Sequence, residues 1–199
     1  VAVTNEDFCA ARQRGADFVL QTPNIPSAFL GEMIGGKIAL KAENLQRTGS
    51  FKIRGAINKI AMLGDAAKNG VVAGSAGNHA QGLALAAKRF GIKCEIYVPK
   101  GASLSKIAAT RHYGATVINE GDNLESAVAM AMARAADTGM IFCHPYNDVD
   151  VIAGQGTLGL ELLEELDDLS LVIVPLGGGG LLSGTAVAIK QQRPNVRII

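Results

Sequence analysis

The chain has 199 residues, of which 48% are hydrophobic and 19% are charged, and its formal net charge is +1. This length and hydrophobic content predict one large domain or two small ones with a substantial core. The balanced charge argues against nucleic acid as a partner and against an acidic disordered tail, and no apolar run is long enough to predict a membrane span.

Short β-rich apolar segments alternate along the chain with longer helical patterns, which is typical of βα units and parallel sheets. In chain order the predicted elements are helices Glu6–Arg14 and Ser27–Met33, strand Lys37–Ala42, helix Phe51–Leu63, strand Val71–Ala73, helix Asn78–Phe90, strand Cys94–Val98, helix Leu104–Tyr113, strand Thr116–Ile118, helix Leu124–Thr138, strand Ile141–His144, helix Val151–Leu166, strand Leu171–Pro175, helix Leu181–Gln192 and strand Arg197–Ile199. Gly91, Gly114 and Gly139 stand where a helix ends in a left-handed residue, and Ser103 and Asn123 are predicted N-caps.

The segment from Val71 to His144 contains enough strands and helices for a small open α/β sheet, and polar segments flank it. We therefore predict a small α/β domain at residues 64–144, inserted into a larger domain formed by residues 1–63 and 145–199. The final residues, Arg197–Ile199, have the pattern of a buried strand that needs neighbours and a covering helix. The large domain is therefore expected to be truncated at its C-terminus in this sequence.

The cysteines and histidines give no metal-binding pattern. Cys9, Cys94 and Cys143 are far apart in the sequence, which is typical of reduced thiols in a cytoplasmic protein. No CxxC pair or paired Cys/His spacing is present, so no metal site is predicted.

A run of four glycines is the clearest candidate for a binding site. Gly177, Gly178, Gly179 and Gly180 follow an apolar strand and precede Leu181 at the start of a helix. Backbone N–H groups at such a helix N-terminus can bind a phosphate, whereas a flexible linker is not expected between a strand and a helix this close together. No Gly-Lys-Ser/Thr follows, so the run is not a Walker A loop, and a small monophosphate cofactor is favoured.

Two further motifs permit a functional and a structural interpretation. Lys52 falls in the first turn of a predicted helix, where the helix dipole disfavours a cation and favours a neutral amine. On spacing alone, however, Lys52 fits an ordinary surface lysine equally well. The turn from Ser75 to His79 joins a strand to a helix N-terminus, so it can bind an anion such as a substrate carboxylate, or it can be a simple capped turn.

A third motif, GxGxxG at Gly154, Gly156 and Gly159, has the spacing of a dinucleotide-binding loop. That loop must follow a strand and precede an acidic residue about 20 positions further on. Here the motif lies inside a long helical pattern, and the glycine run occupies the downstream position. We interpret these residues as packing glycines, with a NAD-binding Rossmann protein as the alternative.

Taken in order, these motifs resemble the fold-type II pyridoxal-phosphate (PLP) enzymes, and most closely their threonine dehydratase and serine racemase group. The resemblance rests on KAENLQRTGSFKIRGA (Lys41–Ala56), SAGNHAQG (Ser75–Gly82), VIAGQGTLGLE (Val151–Glu161) and VPLGGGGLLSG (Val174–Gly184). It implies a tryptophan synthase β-like fold with two open parallel-sheet α/β domains, the small one inserted in the large one. It also implies PLP as the cofactor and β-elimination of L-threonine to 2-oxobutanoate and ammonia, with L-serine as a second substrate.

The resemblance also implies roles for individual residues. Lys52 resembles the catalytic lysine that holds the cofactor. Phe51 resembles the neighbouring residue that packs on the cofactor ring. Asn78 resembles the residue that hydrogen-bonds the ring hydroxyl. The phosphate cradle corresponds to Gly177, Gly178, Gly179, Gly180 and Leu181, and the substrate-carboxylate loop to Ser75, Gly77, Asn78 and His79.

One departure from the group's pattern favours a dehydratase over a racemase. Racemases of this group carry a second hydroxyl immediately after the first Ser of the SxGNH loop, where this sequence has Ala76. Alanine cannot move a proton, so a two-base racemase is disfavoured. Another fold-type II lyase or synthase, or an inactive truncated homologue, remains an alternative, because the family's ring-nitrogen partner and cation site would lie beyond Ile199.

The remaining expectations also come from the resemblance. We expect a small amino-acid substrate, a homodimer or homotetramer, and a place in amino-acid metabolism that includes isoleucine biosynthesis. Neither nucleic acid nor a membrane is an expected partner, and the expected location is the cytoplasm.

Overall fold

A computed structural model describes residues 3–199 of the protein. Within these residues the chain forms eight α-helices and eight short β-strands, together with short 3-10 helices at Glu43–Leu45 and Gly64–Asn69. The helices are α1 (Asn5–Gly15), α2 (Ala28–Ile34), α3 (Lys52–Leu63), α4 (Asn78–Arg89), α5 (Leu104–His112), α6 (Leu124–Thr138), α7 (Val149–Glu165) and α8 (Gly180–Gln192). The strands are β1 (Asn24–Pro26), β2 (Ala39–Lys41), β3 (Val71–Gly74), β4 (Cys94–Val98), β5 (Thr116–Asn119), β6 (Ile141–Phe142), β7 (Leu171–Val172) and β8 (Arg197–Ile198).

The strands form three sheets. The largest is a four-stranded parallel sheet in the order β5-β4-β3-β6, while β1 pairs antiparallel with β2 and β7 pairs parallel with β8. In the large sheet Val71 is paired with Cys94 on one side and with Ile141 on the other. Because β3 and β6 are parallel neighbours, the loops that leave their carboxyl ends emerge at the same edge of the sheet.

The main hydrophobic core joins this sheet to α3 and α4. Its buried members include Ile53, Ile57 and Ile60 of α3, together with Val71 and Ile96 of the sheet. Helix α3 packs mainly against α4 and α7, and α4 in turn lies against β3 and β4 of the sheet. The predicted division into a domain at residues 64–144 and a split domain at residues 1–63 and 145–199 remains a prediction.

The three glycines of the GxGxxG motif lie in the interior of α7, as the sequence analysis predicted. A Cβ on Gly154 would overlap the carbonyl group of Arg54 in α3, and a Cβ on Gly156 would overlap the ring of Phe8 in α1. These glycines therefore allow helices to pack closely, and they do not form a loop after a strand.

The helix caps are only partly as predicted. Asn123 caps α6, because its side chain accepts a hydrogen bond from the backbone N–H of Ser126 at 2.8 Å. Ser103 precedes α5, but its side chain makes no capping bond and instead pairs with the Ser105 hydroxyl at 2.8 Å. Helix α7 begins two residues earlier than predicted, because the Asp148 side chain accepts from the N–H groups of Asp150 and Val151.

None of the helices within residues 3–199 combines the length and apolar character that crossing a bilayer requires. That part of the chain also contains no group of three or more His, Cys, Asp or Glu side chains arranged to hold a metal ion.

Candidate active site

Lys52 is the first residue of α3, and its side chain is half-buried. Its Nζ donates a hydrogen bond to the carbonyl oxygen of Pro145 at 2.7 Å and lies 5.2 Å from the centre of the Phe51 ring. Burial lowers the pKa of the Lys52 amine below its ordinary value of 10.5, since desolvation disfavours the charged form. This environment raises the fraction of Lys52 that is neutral and nucleophilic near neutral pH.

The turn from Ser75 to His79 follows β3 and leads into α4. The Ser75 hydroxyl accepts a hydrogen bond from the N–H of Gly77 at 3.3 Å, and the Asn78 side chain is exposed. Helix α4 approaches Lys52 closely, because a Cβ on Gly82 would lie 3.2 Å from the Lys52 carbonyl carbon. The fold therefore brings the helix that follows the predicted carboxylate loop beside the predicted lysine.

The His79 side chain points away from this turn into the protein. It is 5% exposed, and its Nε2 is 3.0 Å from the carbonyl oxygen of Cys143, to which the neutral ring donates. Burial lowers the pKa of His79 to about 4, and the nearby charge of Lys52 acts in the same direction, although the bond to Cys143 opposes the shift. His79 is therefore neutral near neutral pH, and its ring does not face the predicted anion site.

Gly177, Gly178 and Gly179 lie in the turn between β7 and α8, and Gly180 is the first residue of the helix; we call these four residues the glycine turn. Gly179 has φ +88° and caps α8 at its N-terminus, where the first N–H groups have no acceptor within the helix. Within residues 3–199, no backbone bond outside the helices and strands uses the N–H groups of residues 177–181. A Cβ on Gly177 or Gly179 would meet nothing within 4 Å, so open space lies beside these amides.

One segment that the sequence analysis did not single out, His144 to Asp148, links the lysine to the glycine turn. It leaves β6 at the same sheet edge as the turn after β3. Pro145 accepts the bond from Lys52, and the ring of the next residue, Tyr146, packs so closely on Gly178 that any Cβ there would overlap it.

The rest of this segment is fixed by polar contacts. His144 Nδ1 accepts from the N–H groups of Tyr146 and Asn147, and burial lowers the His144 pKa. The Asp148 carboxylate caps α7 and pairs with Lys59 of α3 at 2.8 Å. The segment therefore has a defined conformation between the lysine helix and the glycine turn.

The arrangement fits a phosphate-bearing aldehyde cofactor. The glycine turn offers unpaired amides at a helix N-terminus, which suit a phosphate. Lys52 offers a partly desolvated amine, which suits covalent bonding to a carbonyl group. The cavity at Arg12, Gln21 and Glu164, with a volume of about 190 Å³, does not include any of the predicted site residues.

The chain belongs to the family of pyridoxal-phosphate dependent enzymes, whose family model matches residues 16–199. Over 198 residues it is 54% identical to the L-threonine ammonia-lyase of Thermotoga maritima and 50% identical to the catabolic L-threonine dehydratase TdcB of Escherichia coli K12. Each match covers 99% of this chain, but only 49% and 60% of the respective relative. The chain thus spans about half to three-fifths of the length of these relatives.

A comparison with solved structures agrees on the fold. Maize serine racemase superposes with a TM-score of 0.96 at 40% identity, covering 100% of this chain and 60% of that one. The fold-type II α/β class predicted from the sequence is confirmed, and PLP is the cofactor of the family. The roles predicted for individual residues remain predictions, although the structure places Lys52 and the glycine turn against one segment.

Proposed function

We propose that this protein is a PLP-dependent threonine dehydratase that also acts on L-serine. One observation carries the proposal: Lys52 and the glycine turn both contact the segment from His144 to Asp148. The relatives named L-threonine ammonia-lyase and L-threonine dehydratase support this substrate class.

In this proposal the chain's own residues bind and orient the reactants. The amides of residues 177–181 hold the cofactor phosphate, Phe51 packs on the cofactor ring, and Asn78 donates to the ring hydroxyl. The turn containing Ser75, Gly77 and His79 binds the substrate carboxylate at the N-terminus of α4.

Lys52 has two tasks in the proposal. It anchors the cofactor covalently, and its freed amine then removes the Cα proton of the substrate. When bound, PLP supplies an electrophilic aldehyde and a conjugated ring that delocalises the charge left at Cα. Loss of the Cα proton and the Cβ hydroxyl removes one water. Hydrolysis of the released enamine consumes one water and yields 2-oxobutanoate and ammonia.

Serine racemase activity is the second candidate, because maize serine racemase is among the most similar structures. Ala76 argues against it, since the position after Ser75 carries no hydroxyl to move a proton. The proposal further includes a homodimer or homotetramer, a cytoplasmic location and a role in amino-acid metabolism. Isoleucine biosynthesis is one such role, although the TdcB relative is named catabolic.

The proposal is tested by borohydride reduction in the presence of PLP, followed by peptide mass spectrometry and by assays of 2-oxobutanoate from L-threonine. A pyridoxyl adduct on Lys52, with turnover that disappears in Lys52→Ala, is expected. Lys106→Ala, at an exposed lysine of α5, serves as the matched control. This variant should retain both the Lys52 adduct and turnover of L-threonine. D-serine formed from L-serine faster than pyruvate would favour the racemase, and an adduct confined to other lysines would refute the role of Lys52.

A further inference from the structure

Arg54 is the most deeply buried charged side chain near the candidate site, with 1% exposure. Its guanidinium makes two bidentate ion pairs. Nε and Nη2 donate to the two Glu43 oxygens at 2.8 Å each, and Nη1 and Nη2 donate to the two Glu161 oxygens at 2.6 and 2.9 Å. Nη1 also donates to the Thr157 hydroxyl at 3.2 Å. Only a planar guanidinium can serve two carboxylates in this way, because an ammonium group has three donors on a single atom.

The two carboxylates come from different parts of the fold. Glu161 belongs to α7, whereas Glu43 lies 11 residues before Arg54, in the 3-10 helix ahead of α3. The Glu43–Arg54 pair therefore closes a loop that contains Phe51 and Lys52. We call residues 43–54 the lysine loop.

The lysine loop is also held to the N-terminal part of the chain. The Gln46 side chain donates to the carbonyl oxygen of Leu20 at 2.7 Å and accepts from the Leu20 N–H at 3.0 Å. The Thr22 hydroxyl donates to Glu43 at 2.5 Å. These contacts fix the start of the loop, and Arg54 joins that start to the helix at its end.

A second cation completes the cluster. Lys41 Nζ lies 2.8 Å from Glu161 and 3.1 Å from Glu165, and it donates to the Thr22 carbonyl oxygen at 2.6 Å. Burial alone would lower the pKa of Arg54, but its hydrogen bonds to Glu43 and Glu161 outweigh this effect and raise it. The guanidinium is therefore charged.

Arg54 and Lys52 lie on opposite faces of α3, because two residues correspond to about 200° around a helix. A contact on the Arg54 face thus sets the rotation of the first turn, and this rotation determines where the Lys52 amine points. We propose that Arg54 is a positioning residue: its pairs with Glu43 and Glu161 hold the lysine loop so that Lys52 faces the cofactor. This inference rests on the proposed role of Lys52.

Buried ion pairs are costly to desolvate and often add little to stability compared with apolar residues of the same volume. A role in fixing the conformation of the loop accounts for this cluster better than a role in stability does. Backbone packing alone does not fix the whole loop. Gly154 abuts the Arg54 carbonyl and Gly82 abuts Lys52, so both contacts act on α3, whereas Glu43 and Gln46 lie ahead of it. Within residues 3–199, the Arg54–Glu43 pair makes the direct side-chain hydrogen bonds between that earlier part of the loop and the helix.

The test compares Arg54→Lys and Glu43→Gln with Arg12→Lys in the full-length protein with PLP. Arg12 is the matched control, because it also pairs with α7, at Glu164, but its side chain is 43% exposed. At a temperature where circular dichroism shows every protein to be folded, three quantities are measured. These are the rate at which Lys52 captures PLP, trapped with borohydride, and the kcat and KM for L-threonine.

We expect Arg54→Lys and Glu43→Gln to slow PLP capture and kcat by about 10- to 100-fold, the usual effect of misplacing a reacting group by about 1 Å. KM should change little, and Arg12→Lys should match the wild type. A lower unfolding temperature with unchanged capture rate and kcat would mean that the cluster is only structural, and would overturn the inference. If Arg54→Lys does not fold, the test rests on Glu43→Gln, which retains the pair between Arg54 and Glu161. Its PLP capture rate and its kcat then decide between a positioning role and a purely structural one. Failure of the wild type to form a Lys52 adduct would instead refute the proposed function.

Discussion

The amine of Lys52 donates a hydrogen bond to the carbonyl oxygen of Pro145 at 2.7 Å, across 93 residues of sequence. Burial lowers the pKa of Lys52, because desolvation disfavours the charged amine. The same contact places the amine beside the segment whose next residue, Tyr146, packs on the glycine turn. The Pro145 carbonyl thus holds the lysine near the place where the proposal puts the cofactor.

The lowered pKa of Lys52 predicts the pH dependence of cofactor capture. Only the neutral amine attacks an aldehyde, so the capture rate should rise with pH and reach its midpoint below 10.5, the ordinary lysine value. The measurement is the initial rate of borohydride-trapped Lys52 adduct at a series of pH values, with Lys52→Ala as the background. A midpoint at or above 10.5 would contradict the desolvated environment.

The buried imidazole of His79 predicts a loss of stability in mild acid. Its pKa is about 4 in the folded protein and 6.5 in the unfolded chain, so the unfolded chain binds the proton first as the pH falls. The His79 contribution is therefore complete above pH 6.5 and is lost as the pH falls from 6.5 through about 4. The shift corresponds to a loss on the order of 3 kcal/mol in the free energy of unfolding.

His79→Gln tests this prediction, because glutamine retains a donor for the Cys143 carbonyl but does not titrate. Denaturant unfolding across the pH window should give a flatter profile for His79→Gln than for the wild type. His112→Gln, at an exposed histidine of α5, should leave the wild-type profile unchanged. If the free energy of unfolding depended equally on pH in the wild type and in His79→Gln, groups other than His79 would cause the acid sensitivity.

The contact between Tyr146 and Gly178 predicts different effects for two neighbouring glycines. A Cβ on Gly178 would overlap the Tyr146 ring, whereas a Cβ on Gly177 would meet nothing within 4 Å. Gly178→Ala should therefore lower the free energy of unfolding by about 1–3 kcal/mol, and Gly177→Ala should change it by less than about 0.5 kcal/mol. Chemical denaturation of both variants measures the difference, and similar values would place Tyr146 elsewhere.

The sequence predicted the helices and the parallel strands well, because their periodicity and glycine signals are local. Strand β1 at Asn24–Pro26 was missed, since three residues that include a proline carry no strand pattern. The GxGxxG motif could be assigned to packing because its helical context is visible in the sequence. The sequence could not show which neighbour requires each glycine. The Arg54 carbonyl group, for example, leaves no room for a Cβ on Gly154.

The candidate site was predicted from motifs that stand out in the sequence, whereas the segment from His144 to Asp148 carries no such motif. Pro145 contributes a carbonyl oxygen, which every residue type possesses. The His79 side chain lies against the Cys143 carbonyl, so its predicted proximity to an anion depends on its backbone instead. The position of the segment after β6, at the carboxyl end of a predicted parallel strand, was the one available signal for it.

The two predicted N-caps provide a last prediction, because the structure distinguishes them. Asn123 Oδ1 accepts from the N–H of Ser126 at 2.8 Å, and the Ser126 hydroxyl accepts from the N–H of Asn123 at 3.1 Å, so two otherwise unpaired donors are satisfied. Ser103 makes no such bond. Asn123→Ala should therefore cost about 1 kcal/mol of unfolding free energy, and Ser103→Ala should cost less than about 0.5 kcal/mol. Chemical denaturation at neutral pH checks both variants, and a loss at Ser103 as large as that at Asn123 would mean that Ser103 also caps its helix in solution.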